Sequence, residues 1–151
     1  IIPPLLIFFG ASMTSKTFLI RLMAYTSLTS RTRVQPEDAM CVQFASNLRV
    51  ATVQGRLKGV WLHPAQELCY GHATGLRAAI SRAMGMHVGV ADYLFLWDGG
   101  SAALEAKIGK GRLTPAQTDF QTWCTTQGVR HREFRSIEEG LQALRDWGLL
   151  S

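Results

Sequence analysis

Glu105 and Lys107 stand two residues apart in the run Ala102-Ala103-Leu104-Glu105-Ala106-Lys107-Ile108, and that spacing is the first chemical signal in the chain. In an extended strand alternate side chains share a face, so an acid and a base project together while Leu104, Ala106 and Ile108 point the other way. A strand otherwise so apolar has little structural use for two charges on one side unless they pair with each other or hold an ion. Asp92 lies near the start of a second apolar run, Val90 to Trp97, and Asp98-Gly99-Gly100 between the runs favours a hairpin turn because these residue types tolerate positive φ. Pairing through that turn puts Asp92 near the open end of the hairpin, within reach of Glu105. Two carboxylates can bind one Mg2+ or Mn2+ and leave positions for water and a phosphate oxygen, while the Lys107 ammonium would orient the water or stabilise the oxyanion. That chemistry suits phosphodiester hydrolysis. The plain alternative is an Asp at a strand start followed by an exposed Glu/Lys alternation with no ligand.

The elements that must position these residues are legible on either side. Pro36 and Glu37 open a helical pattern in which Met40, Phe44 and Leu48 recur on one side. Gly59 to His63 is a short β-type run broken by Pro64, and Thr74 to Met84 reads as a helix with Leu76, Ile80 and Ala83 on its packed face. Gly85 stops it. Thr114-Pro115 supplies an N-cap and a first-turn proline for a helix through about Gln127, closed by Gly128. Val129 to Phe134 is a further strand, and Ser136 with Glu139 makes a capping box for a last helix that runs to Trp147. The order helix, strand, helix, strand, strand, helix, strand, helix predicts an α/β or α+β sandwich with a mixed sheet.

At 151 residues and 47% hydrophobic content the chain suits one domain with a proper core. Its formal charge of +5 and pI near 9.5 suit a polyanionic partner. Cys41, Cys69 and Cys124 are odd in number and widely spaced, which argues against a disulfide framework and points to a reducing, cytoplasmic setting. Cys69 and His72 have the spacing of half a zinc site, with no second pair nearby. Ile1 to Gly10 is apolar but broken by Pro3 and Pro4, too short for a membrane span, and its positive charges follow the apolar run where a signal peptide wants them before it. Residues 1–33 are expected to be an extension that is not native or poorly ordered, with translation starting at Met13 or Met23, and residues 34–151 the functional domain.

The segments Gly89-Val90-Ala91-Asp92-Tyr93-Leu94-Phe95, Glu105-Ala106-Lys107-Ile108 and Gly111-Arg112-Leu113-Thr114-Pro115-Ala116-Gln117, with Phe120 and then Gln127-Gly128, resemble the VRR-NUC branch of the PD-(D/E)xK nucleases. The likeness covers about Pro36 to Trp147, with its specific part from Gly85 to Gly128. It implies a restriction-endonuclease-like α-β-α sandwich whose mixed central sheet is flanked by helices. It also implies a metal-dependent DNA endonuclease, selective for branched DNA such as the four-way Holliday junction and acting as a homodimer. Exposed apolar side chains such as Trp123, Trp147 or Leu149 would form the dimer interface. By the same likeness Asp92, Glu105, Lys107 and Gln117 are catalytic, with a helix-surface glutamine as the alternative for Gln117, and Mg2+ or Mn2+ is held by Asp92 and Glu105. Glu37 and Glu67 are further candidates for the metal shell, with first-turn dipole stabilisation and an ordinary turn as their respective alternatives. His63, Lys110 and Arg112 are the candidate backbone contacts, and Arg130, Arg132 and Arg135 add positive charge nearby; an ordinary turn is the alternative for His63 and a solvated surface for each of the others. His87 is read as a loop residue. The chain departs from the family pattern at Ala91, where Pro is usual, at Gln66 for Asn and at Leu68 for Gly. A catalytically inactive nucleic-acid-binding or assembly module of the same fold is the alternative function, and an RNA-directed nuclease a third.

Overall fold

The computed structural model describes residues 15–24, 34–64 and 75–151. The elements run α1 (Lys16–Ala24), α2 (Pro36–Val53), β1 (Val60–Leu62), α3 (Gly75–Ala83), β2 (Tyr93–Trp97), β3 (Gly100–Ala106), α4 (Pro115–Thr126), β4 (Arg130–Phe134) and α5 (Ile137–Asp146). Their order matches the sequence reading from Pro36 onward, and α1 is an additional helix within the stretch expected to be an extension.

The four strands form one sheet in the order β1-β2-β3-β4. The first three are antiparallel neighbours, whereas β3 and β4 run parallel and are joined through α4, so the sheet is mixed. The hairpin turn is tighter than expected. Trp97 already pairs with Gly100, leaving Asp98 and Gly99 as the loop, and Gly100 has a φ of 139° that favours glycine.

Both faces of the sheet are covered. On one, Met40, Phe44 and Leu48 of α2 and Ala143 and Leu144 of α5 pack with Tyr93, Phe95, Leu104, Ala106 and Phe134. Phe44 stands at the centre, edge-on to Tyr93 and tilted against Phe134, and Gly140 lets α5 approach because a Cβ there would meet the Phe44 ring at 2.7 Å. On the other face α4 packs through Cys124 and Phe120 onto Ala91, Ala103, Leu94 and Val129. This is the α-β-α sandwich expected from the motifs.

Three sequence expectations need correction. The face of α3 read as packed is exposed, with Leu76 at 70% and Ile80 at 49% accessible and Ala83 also in solvent; Ala78 is the buried residue. Periodicity shows which residues share a face, and here no described element covers that face. Leu149 is fully buried in the core, so it is not a surface anchor, and Trp147 is half-buried beneath the Arg132 guanidinium. The α5 capping box is half-formed: Ser136 accepts the Glu139 N–H, but the Glu139 carboxylate accepts from Arg135 N–H rather than from Ser136. Among the described residues no helix is long and apolar enough to cross a membrane.

Candidate active site

β3 leaves the core at Glu105, and the chain delivers three charged side chains to that end of the sheet. Glu105 is 1% and Lys107 6% exposed, the buried charged residues of the described core. Lys107 follows the last residue of β3 rather than lying within it, yet its N–H still bonds to the Phe134 carbonyl, so the ladder continues and the two side chains stay on one side. The Lys107 ammonium donates to Glu105 Oε1 at 2.7 Å. Asp92 sits just before β2, and its Oδ2 accepts the Ala106 N–H at 2.7 Å, which fixes the carboxylate beside the residue between Glu105 and Lys107.

Gln117 completes the arrangement from α4. Thr114 caps that helix by accepting the Gln117 N–H, while the Gln117 side-chain oxygen accepts the Thr114 N–H, a reciprocal capping box. The same amide then turns its Nε2 to donate to Glu105 Oε1. Gly89 makes this docking possible. Its φ is 83°, and a Cβ there would lie 2.3 Å from the Ala116 carbonyl carbon and 2.6 Å from Gln117 N, so only hydrogen allows the first turn of α4 to come so close.

Electrostatics mark the cluster as strained for anions. Burial, the Asp92 charge and, more weakly, Glu37 push the Glu105 carboxyl up to about 7, against the pull of Lys107. Burial also raises Asp92, with Glu37 adding to it, while the Ala106 N–H, His63 and Lys107 oppose the shift. Glu37, in the first turn of α2, therefore faces the same space as the two central acids. Hard oxygen donors that are desolvated and repel one another are what a divalent cation relieves, so the donor set fits Mg2+ or Mn2+. Among the described residues no three His, Cys, Asp or Glu side chains come together as a protein cage. Two carboxylates with the remaining positions left to water and substrate is the usual way Mg2+ is held.

The other sequence candidates differ in where they lie. His63 directly follows β1 and donates from Nδ1 to the Asp92 carbonyl, with its ring against Tyr93. Lys110 and Arg112 are exposed on the loop between β3 and α4. Glu67, with Gln66, Leu68 and the Cys69/His72 pair, lies outside the described residues. Arg130 and Arg132 are spent within the fold, over Trp97 and over Trp147 with Asp146, respectively. Arg135 instead donates to the Gly109 and Gly111 carbonyls while paired with Glu133, and so pins the loop that carries Lys110. His87 packs edge-on against Trp123.

Sequence reasoning missed Gly89, Arg135 as a loop clamp, and the α2 residues Asp38 and Arg49, which line a cleft with Glu37, His63 and Asp92. Gly89 and Arg135 stand in the sequence reading without these roles, and Arg49 leaves a trace of its own: it follows Glu37, Cys41 and Ala45 at fourfold spacing, on the same side of the helix.

A solved structure described as a VRR_NUC domain protein superposes on this chain with a TM-score of 0.53, covering 80% of this chain and 94% of that one at 16% sequence identity. The chain thus has the fold of a VRR-NUC domain, as its motifs imply, and at this identity the likeness is one of fold. No family model matches the chain, and no curated protein does.

Proposed function

We propose that this chain is a nuclease that hydrolyses DNA phosphodiester bonds with a divalent cation, selecting branched substrates such as the four-way junction. The observation that carries the reading is the convergence of the Asp92 and Glu105 carboxylates, with Lys107 bonded to Glu105, at one buried strand end. Asp92 and Glu105 would hold Mg2+ or Mn2+, with Glu37 and Glu67 as the candidates to complete its shell. Such an ion, when bound, supplies Lewis acidity and charge neutralisation at the scissile phosphate.

The chain's own groups do the rest. Gln117 and Lys107 both donate to one oxygen of Glu105, which sets the carboxylate's rotation. Lys107 presents a fixed ammonium where negative charge grows on the phosphate oxygens, and its desolvated setting strengthens that interaction. His63, beside Asp92, and Lys110 and Arg112, on the loop after Lys107, would contact the sugar-phosphate backbone, which positions DNA without reading sequence. A homodimer would offer two centres to a substrate with two strands to cut, and Trp123, 51% exposed, is the remaining candidate for its interface. The free thiols of Cys41 and Cys124 suit a cytoplasmic setting.

The test is a cleavage panel over duplex, flap, single-stranded and four-way DNA, with RNA counterparts, in Mg2+ and in Mn2+. Metal-dependent cleavage lost in Glu105→Ala and Lys107→Ala, with binding retained, is the expected result. The lack of a three-ligand cage among the described residues favours one rival, a binding module in which Glu105 and Lys107 are merely a buried ion pair. Tight DNA binding with no cleavage in either metal would establish that rival.

A further inference from the structure

Beside the acidic centre, α2, β1 and the start of β2 enclose a cleft of about 260 Å³. Sites for drug-sized ligands run to roughly 300–1,000 Å³, so this one suits a single flat heterocycle with part of its sugar. Glu37, His63 and Asp92 bring the cleft to the catalytic cluster, and Arg49, further along α2, and Trp61, on β1, line it as well.

Arg49 is the anomaly. Its Nε is the buried side-chain polar atom among the described residues with no hydrogen-bond partner. Its guanidinium lies 5.9 Å from the Trp61 ring centre, and the Trp61 indole N–H is committed to Thr52 Oγ1, so neither neighbour satisfies the donor. Leaving a buried donor unpaired is costly, and an acceptor that meets the guanidinium from the cleft would offset part of that cost. That acceptor is not best supplied by a phosphate, because Glu37 and Asp38 line the same space and repel anions. A neutral ring with acceptor atoms on its edge avoids the repulsion and gains the aromatic wall.

We infer that the cleft receives one unstacked nucleobase of the strand being cut, its face against Trp61 and its acceptor edge on Arg49. The inference rests on the nuclease reading, and it adds a position at which the enzyme grips a base rather than the backbone. Hydrogen bonds to the edge of an unpaired base and stacking of its face on an aromatic side chain are both recurrent ways in which proteins hold single-stranded nucleic acid.

The experiment uses the full chain and branched DNA with a single-stranded arm, so that each position is fixed relative to the branch. One abasic site is walked along the arm and the flanking strand, and affinity is read by fluorescence anisotropy without divalent cation. Cleavage with Mn2+ is then read separately on the same substrates. One abasic position is expected to weaken binding at least about 5-fold, the effect of losing one stacked base. Arg49→Ala should abolish that dependence while affinity for the already abasic DNA stays the same, and Arg49→Lys should restore part of it. Arg49→Lys also serves as the probe if Arg49→Ala fails to fold, in which case a reduced dependence is the expected result. Uniform affinity across all positions, or an unchanged profile in the folded Arg49 variant, overturns the cleft. Position-dependent binding without cleavage would retain the cleft and remove the nuclease, whereas cleavage without position dependence does the reverse.

Discussion

The Asp92 carboxylate accepts the backbone N–H of Ala106 at 2.7 Å, so an acid at the start of one strand is locked to the residue between Glu105 and Lys107 on the next. The bond separates two roles of Asp92, as a structural acceptor and as a charge. Asp92→Asn keeps an oxygen for Ala106 and should leave thermal stability nearly unchanged while reducing cleavage by about 100-fold or more. Asp92→Ala strands a part-buried N–H and should add a stability loss of about 1–3 kcal/mol, read by urea denaturation. Equal stability of the two variants would contradict the assignment.

Gly89 should tolerate no side chain. Gly89→Ala places a Cβ 2.3 Å from the Ala116 carbonyl carbon at a φ of 83°, so the first turn of α4 must retreat and take Gln117 away from Glu105. The strain and overpacking should cost about 2–4 kcal/mol. Cleavage should fall further than in Gln117→Ala, which loses the amide but keeps the helix in place; parity between them would show that the close approach carries no function.

Cation affinity should depend on pH in a range unusual for a carboxylate site. Glu105 is held up to about 7 by burial and by Asp92, and a cation must displace that proton. Apparent affinity for Mn2+ should therefore level off above pH 7 and weaken about tenfold per unit below it, measured by isothermal titration between pH 5.5 and 8.5. The same shift bears on metal-free stability with a definite sign. Because the folded carboxyl binds its proton more tightly than the unfolded one, at 4.5, its contribution is most favourable below that value and is lost as pH rises to about 7. Burial lowers His131 from its usual value, so its own contribution runs the other way, growing as pH rises toward 6.5. Affinity that is flat down to about pH 5.5 would contradict the Glu105 assignment.

Arg135→Ala should loosen the loop that follows Lys107 without touching the acids. It removes bonds to the Gly109 and Gly111 carbonyls, so amide exchange across residues 109–112 should quicken and KM for DNA should rise several-fold, with kcat changing less. Arg135→Lys, which cannot span both carbonyls, should recover only part of the effect. A drop confined to kcat would place Arg135 in the chemistry instead.

Local chemistry made much of this architecture legible. Thr114-Pro115 fixed where α4 begins, Asp98-Gly99 where the hairpin turns, and the two-residue spacing of Glu105 and Lys107 held although Lys107 lies just past its strand. What escaped was tertiary. Leu76 and Ile80 have helical spacing but no described partner, and Leu149 looks like a tail residue until the isolated bridge between Leu57 and Leu150 draws the C-terminus into the core. Gly89 and Arg49 owe their significance to neighbours distant in sequence, Ala116 and Trp61 respectively, which no local pattern reveals.

The most direct test is a crystal structure of the full chain soaked in Mn2+, with anomalous scattering to locate the ion. The account requires one peak shared by the Asp92 and Glu105 carboxylates, about 2.0–2.3 Å from an oxygen of each, and its loss in Asp92→Asn. An empty centre at saturating Mn2+, or an ion bound with neither acid as a ligand, would contradict it.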